Sequence, residues 1–186
     1  MEHAPCRFSG FAFGDPYAHE IASSCVDIAG AEPHGVAVLS VGDRAPDFDG
    51  TDQSGKRWTL DELVKDSSIV LYFYPKDFTP VCTKEACLFR DAHEELARSG
   101  IKVVGVSTDD ADSHAKFAER HRLPFPLLSD PDKRIAAAYG ARQLLGLFSK
   151  RVTYVIDRKK RVVAAFHHEL SAQKHLDAVR SLASAG

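Results

Sequence analysis

The chain predicts a three-layer α/β domain, and three observations carry that prediction. Continuous apolar, β-branched or aromatic runs alternate with amphipathic stretches, the first being Ile69-Val-Leu-Tyr-Phe-Tyr74. Each amphipathic stretch ends at a helix stop such as Gly100 or Gly140. The order closes with two apolar segments around a polar turn, which is a hairpin rather than another crossover.

Taken in order, Asp47–Thr51 and Lys56–Thr59 read as the arms of an N-terminal hairpin turned by Gln53-Ser54-Gly55. Thr59 then caps a short helix over Leu60–Val64, with Glu62 at the third helical position as in a capping box. Ile69–Tyr74 suits a strand buried on both faces, ended by Pro75. A helix is predicted from about Val81 to Arg98, with Ala86, Phe89, His93, Leu96 and Ala97 along one side. Ile101–Ser107 is a strand, Asp112–Arg122 a helix, Phe125–Leu128 a short strand and Pro131–Tyr139 a helix. Val152–Ile156 and Val162–Phe166 form the closing hairpin around Asp157–Arg161, and Ser171 caps a last helix to about Leu182. Residues 1–40 show no sustained periodicity and read as a poorly ordered extension, which leaves residues 41–186 as the folded domain.

Composition narrows the function classes. The 186 residues are 44% hydrophobic and 27% charged, as expected of one globular domain. A formal charge of −2 gives no electrostatic case for nucleic acid or an anionic membrane as partner. Apolar runs such as Ile69–Tyr74 are far short of the roughly twenty residues a membrane span needs. Residues 1–40 hold five acids (Glu2, Asp15, Glu20, Asp27, Glu32) and one Arg, unlike a transit peptide, and no secretory pattern is present, so cytoplasm is the expected location.

Four cysteines are too few for a disulfide scaffold, and the close pair Cys82 and Cys87 reads as chemistry. The string Phe73-Tyr-Pro-Lys-Asp-Phe-Thr-Pro-Val-Cys82 leaves a buried strand, turns at Pro75 and Pro80, and puts Cys82 in the first turn of a helix. Loops after strand C-termini are where open α/β sheets carry their sites. A helix start offers unpaired N–H groups and partial positive charge, which favour thiolate over thiol. The thiolate is the nucleophile, and an ordinary cysteine with a pKa of ~8.5 is mostly protonated at neutral pH. Thr79 adds a hydroxyl able to donate to a bound oxygen or accept its proton. The bland alternative is a small buried hydrophobe, common for a free cysteine; the second cysteine, the two prolines and the strand-to-helix position weigh against it.

On an intact helix, positions five apart have Cα atoms separated by roughly 8.6 Å. A disulfide spans at most about 7 Å, so a Cys82–Cys87 bond requires the start of the helix to unwind. Zinc is the rival use of two cysteines, but no nearby Cys or His pair completes a four-ligand site. In the extension, Cys6 and Cys25 with His3, His19 and His34 match no zinc spacing. His167-His168-Glu169 reads as a polar strand end.

The spacing Pro75, Thr79, Cys82 resembles the active-site signature of peroxiredoxins. The wider string Tyr74-Pro-Lys-Asp-Phe-Thr-Pro-Val-Cys-Thr-Lys-Glu-Ala-Cys87 resembles the bacterioferritin comigratory protein or peroxiredoxin Q branch. Similarity runs from about Val41 onward, through Val41-Gly-Asp-Arg-Ala-Pro-Asp-Phe48, Gly105-Val-Ser-Thr-Asp109 and Leu127-Leu-Ser-Asp-Pro131. The resemblance implies a thioredoxin-like fold, a central mixed sheet flanked by helices, and reduction of hydrogen peroxide or organic hydroperoxides. It implies Cys82 as the peroxidatic and Cys87 as the resolving cysteine, Arg151 as an active-site cation, and Glu85 as the carboxylate that orients it. Thioredoxin or a similar dithiol is the implied reductant, and no metal, flavin or other cofactor is required. A monomer is expected, with a dimer as the alternative. Three departures stand out: Val81 where the branch often has Gly, a short Gly140–Lys150 stretch, and the extension. A general thiol–disulfide oxidoreductase is the rival enzyme, though such proteins separate their cysteines by two residues rather than four. A redox sensor or holdase is the rival outside catalysis, distinguished by needing one oxidation event instead of turnover.

Overall fold

The computed structural model describes residues 38–142 and 149–167, with 173, 176, 177, 179 and 180. The expected extension therefore lies almost wholly outside the described residues, as do Cys6, Cys25, His3, His19 and His34. Most of the Gly140–Lys150 stretch and of the last helix lie outside them too.

Among the described residues the elements are β1 (Asp49–Asp52), β2 (Arg57–Thr59), α1 (Leu60–Val64), β3 (Ser68–Phe73), α2 (Pro80–Asp91), α3 (His93–Arg98), β4 (Ile101–Ser107), α4 (Ala111–His121), β5 (Leu127–Ser129), α5 (Arg134–Ala138), β6 (Val152–Ile156) and β7 (Val162–His167). The strands form one mixed sheet in the order β2-β1-β5-β4-β3-β6-β7. Its centre is parallel, β3 pairing β4 from Ser68↔Ile101 to Phe73↔Val106 and β4 pairing β5. The hairpins β1–β2 and β6–β7 are antiparallel, and β6 closes against β3 with Phe73↔Val152. This is the thioredoxin-like arrangement of a mixed sheet flanked by helices.

The central strand shows why its sequence is apolar without interruption. Val70, Tyr72 and Tyr74 enter one core, packed with Cys82, Ala86, Phe89 and Phe117, while Ile69, Leu71 and Phe73 enter the other with Val104, Val106, Tyr139 and Tyr154. Leu176 and Val179, described members of the C-terminal segment, are buried in the first core. Gly105 faces Tyr72 across the β3–β4 pair: a Cβ there would lie 2.8 Å from the Tyr72 hydroxyl oxygen and 2.7 Å from Leu127 Cδ2. Only glycine admits that approach of tyrosine to backbone.

Local signals held where local chemistry decides. The Thr59 hydroxyl accepts the Glu62 N–H and the Glu62 carboxylate accepts the Thr59 N–H, completing the capping box. The long helix from Val81 to Arg98 is instead two helices that meet at Ala92 (φ −91°, ψ −1°). No Gly or Pro marks the joint, and Ala92 N–H still bonds Leu88 carbonyl at 3.1 Å, so the chain bends there with little loss of hydrogen bonding. The fifth strand is shifted to Leu127–Ser129 and the fifth helix is shorter than its pattern, Arg134–Ala138.

Candidate active site

The end of β3 delivers the chain into the site through residues 74–79. Tyr74 N–H still bonds Val106 carbonyl at 3.1 Å, Pro75 follows, and Phe78 takes a left-handed turn with φ 59°. Such a backbone in a bulky residue needs a stiff surround. Asp77 supplies one, through a buried network absent from the sequence reading. Its carboxylate accepts from the Tyr74 hydroxyl at 2.8 Å and the Ser113 hydroxyl at 2.8 Å, and pairs with His114 Nδ1 at 2.8 Å. Its N–H bonds Asp109, which also accepts from the Ser107 hydroxyl. The turn is thereby tied to the end of β4 and the start of α4. Partners 37 residues away leave no local signal; the only hint was a charged residue just after an apolar strand.

Thr79 is the N-cap of α2, and Pro80 opens the helix where a missing N–H costs nothing. The first helical bond here runs from Thr83 N–H to Thr79 carbonyl at 2.9 Å. The Val81 and Cys82 N–H groups precede it, among those that a helix start leaves without helical acceptors. Val81 fits this helical backbone without positive φ, so the departure from glycine carries no strain. The Thr79 hydroxyl donates to Lys76 carbonyl at 3.1 Å, not to the Cys82 sulfur, which leaves its oxygen as an acceptor. Pro75 and Thr79 are half-buried, and Cys82 is only 2% exposed.

Arg151 reaches Cys82 from just ahead of β6. The β3–β6 register that pairs Phe73 with Val152 sets the preceding residue beside the strand-to-helix turn. Arg151 Nη2 donates to Cys82 Sγ at 3.2 Å, and Nη1 donates to Glu85 Oε2. Glu85, one turn along α2, is 0% exposed and Arg151 is 3% exposed. Burial pushes the Glu85 carboxyl up to about 7 against the pull of Arg151. Burial also opposes the Arg151 charge, but Glu85 and Cys82 outweigh it and hold the guanidinium above its ordinary value. Tyr72 lies in the same field: burial, then the charges of Glu85, Asp77 and Cys82, raise its phenol well above the usual range. A charge-assisted hydrogen bond onto sulfur in a dry site stabilises negative charge there.

Cys87 lies further along the same unbroken helix, half-buried, and both cysteines are free thiols. Its Sγ is 3.9 Å from His121 Nδ1. Of the residues singled out from sequence, then, Arg151 bridges Cys82 and Glu85, Pro75 and Thr79 lie on the turn that leads into the helix, and Cys87 stands apart.

That arrangement on a thioredoxin-like sheet places the chain among thiol-dependent peroxidases. It belongs to the AhpC/TSA family, whose pattern it matches over residues 41–165. The chain is 38% identical over 166 residues to chloroplastic Peroxiredoxin Q of Populus jackii, covering 89% of this chain and 78% of that one. With chloroplastic Peroxiredoxin Q of Gentiana triflora it shares 42% identity over 142 residues, 76% of this chain but 65% of the relative's length. The crystal structure of peroxidoxin BcpB from Mycobacterium tuberculosis is similar with a TM-score of 0.75 at 42% identity, covering 79% of this chain and 97% of that chain. These relatives correct one expectation. The plant proteins are named chloroplastic, which points to a plastid location and overturns the cytoplasmic one. The expectation rested on the acidic composition of residues 1–40, which lie ahead of the stretch 41–165 that matches the family.

Proposed function

We propose that the chain reduces hydrogen peroxide and organic hydroperoxides through Cys82, with Cys87 as resolving cysteine and thioredoxin or a similar dithiol as reductant. The observation that carries this reading is the Arg151 guanidinium on the buried Cys82 sulfur at 3.2 Å, in the first turn of a helix. The Cys82 thiolate attacks one peroxide oxygen and the O–O bond breaks. Sulfur loses two electrons to become a sulfenic acid, and the departing oxygen takes a proton to leave as water or alcohol. Arg151 and the Val81 and Cys82 N–H groups stabilise the charge that moves between sulfur and oxygen, while the Thr79 oxygen accepts the hydroxyl of the bound peroxide. Glu85 orients the arginine. A related Xanthomonas campestris bacterioferritin comigratory protein, 31% identical with a TM-score of 0.70, is described with alkyl peroxide reduction activity, in keeping with an organic substrate.

The second half of the cycle follows from the helix. Cys82 and Cys87 share an intact α2, in which a five-residue separation holds Cα atoms roughly 8.6 Å apart. Disulfide formation therefore needs the first turn and a half to open, which the absence of a side-chain cap at Thr79 makes easier. An intrachain resolving cysteine lets a monomer complete the cycle, and residues 41–186 suffice as the catalytic domain.

The test is peroxide-dependent NADPH oxidation coupled through thioredoxin and its reductase. Turnover is expected to vanish in Cys82→Ser and to stop after one oxidation in Cys87→Ser. A wild-type protein that oxidises once but never cycles, with thioredoxin or an artificial dithiol, would favour the redox-sensor reading instead.

A further inference from the structure

The resolving side of the site holds a proton acceptor that the peroxide step does not use. Cys87 Sγ is 3.9 Å from His121 Nδ1, within hydrogen-bonding reach of sulfur. The histidine is the last residue of α4, and two sets of contacts hold it in place. Its ring packs edge-on against Phe117, centroids 5.0 Å apart, and lies 6.5 Å from the Phe78 ring. Its backbone carbonyl accepts from Arg90 Nη1 at 2.9 Å, and Arg90 lies three residues beyond Cys87 on α2. One helix thus presents both the thiol and the guanidinium that fixes the imidazole facing it.

The charges around this pair keep the imidazole unprotonated and so available as an acceptor. Burial, then the cations Arg120 on α4 and Arg90 on α2, hold the His121 imidazole below its ordinary value. Arg90 is itself paired with Asp91 and senses the charge of Cys87. At neutral pH the ring is therefore uncharged and, with its proton on Nε2, offers Nδ1 as an acceptor. A cavity of about 290 Å³, lined by Phe78, Pro80, Thr83, Arg120 and His121, opens between the start of α2 and the end of α4. The first turn of α2 therefore borders open space, and His121 has a route to water.

We propose that His121 is the general base of the resolving step, taking the Cys87 thiol proton so that the thiolate attacks the sulfenic acid on Cys82. The proposal rests on the Cys82–Cys87 reading above. The step balances without an added reductant. The S–H bond of Cys87 breaks and its proton goes to His121 Nδ1, while the Cys87 sulfur forms the S–S bond as the S–O bond of Cys82 breaks. Cys87 sulfur is oxidised and Cys82 sulfur reduced, each by one electron equivalent. The departing hydroxide takes the proton from the imidazolium and leaves as water.

Rapid-quench mass spectrometry after one equivalent of hydrogen peroxide separates the two steps, since the sulfenic acid traps with a dimedone-type reagent and the disulfide does not. Wild type, His121→Gln and His121→Phe would be compared, the phenylalanine keeping ring packing on Phe117. Sulfenic acid formation is expected within about two-fold of wild type in both variants, which also reports that the site is folded. Disulfide formation is expected to slow about a hundred-fold in both. Its pH profile is the second readout. The wild-type rate should already be on its plateau at neutral pH, because the imidazole is unprotonated there, whereas the variants, left without that base, should go on rising with pH. Disulfide formation at the wild-type rate and pH profile in either variant overturns the proposal. A wild-type protein that forms sulfenic acid but no Cys82–Cys87 disulfide overturns the resolving assignment itself, a different and recognisable failure.

Discussion

The two cysteines of α2 sit in opposite surroundings. Cys82 is sealed from water against Arg151 and Glu85, both at most 3% exposed, so every charge around it is desolvated and held. Cys87 is half-buried beside His121, with Arg90 one third exposed and its guanidinium shared between a carbonyl and the neighbouring Asp91. The difference follows from what each thiol does in the proposed cycle. A peroxide O–O bond breaks faster when the groups that receive the moving charge are already in position, and a dry site makes them strong. A resolving thiol has to meet a sulfur that a rigid helix holds out of reach, so its surroundings favour proton transfer and motion over rigidity. The two arginines are a direct gauge of that contrast.

Removing the buried one should have the largest effect. Arg151→Met takes the donor from the Cys82 sulfur and leaves Glu85 buried without its guanidinium. The first step is expected to fall by about 10²–10³-fold, the typical effect of deleting one preorganised donor. Above about pH 7, where Glu85 is ionised, stability is expected to fall by about 3–5 kcal/mol, as when one member of a buried ion pair is removed. Stopped-flow peroxide kinetics and chemical denaturation check the two halves separately. Arg151→Lys should recover little, because an ammonium does not serve Sγ and a carboxylate oxygen with two fixed N–H groups. A near-normal first step in Arg151→Met would erase the distinction between the cysteines.

Glu85 gives the contrast a pH axis. In the folded chain its carboxyl holds a proton up to about pH 7, whereas a free glutamate releases it near 4.5. Between those values the folded state carries the additional proton, so this contribution to stability is full below the lower value and lost as pH rises through the upper one. The span corresponds to a change on the order of 3 kcal/mol. Wild type should therefore lose stability relative to Glu85→Gln between pH 4.5 and 7, a slope that denaturant titrations at several pH values would reveal. Parallel slopes would mean that the pull of Arg151 outweighs burial and that Glu85 stays ionised throughout. The Cys87 side contributes a slope of the opposite sign, because His121, held below its ordinary value, binds its proton less readily in the folded state and favours folding as pH rises.

Much of the fold was legible because it is written in short-range chemistry. The uninterrupted apolar run of β3 foretold burial on both faces, and Thr59 with Glu62 foretold the cap of α1. The polar turn at Asp157–Arg161 foretold the β6–β7 hairpin. The bend at Ala92 was not legible, since a helix can break there while keeping its hydrogen bonds and without a Gly or Pro to mark it. The site divides in the same way. Cys82 at a helix start could be read from the prolines and the preceding strand, but Arg151 is 69 residues away and entered only through a family resemblance. The Asp77–His114 pair and the Cys87–His121 contact join residues 37 and 34 apart, and nothing in their local sequence points from one partner to the other. Charged and polar side chains find partners through the sheet register and the approach of α4 to α2, which periodicity does not specify.

The smallest effect should come from the other arginine. Arg90→Met removes a hydrogen bond to the His121 carbonyl and an exposed pair with Asp91, while its methylene stem is largely replaced. Partly exposed ion pairs contribute about 0–1 kcal/mol, so stability is expected to fall by about 1 kcal/mol or less, and the melting temperature by about 2–4 °C. Peroxide attack at Cys82 should be unchanged, because the Arg151 contact does not pass through this residue. Scanning calorimetry beside the Arg151→Met measurement makes the comparison internal to one protein. A loss from Arg90→Met as large as that from Arg151→Met would mean that the Cys87 side is as rigidly organised as the Cys82 side. The opening of α2 would then have to break a second preformed cluster, and disulfide formation would be limited by that cost rather than by proton transfer.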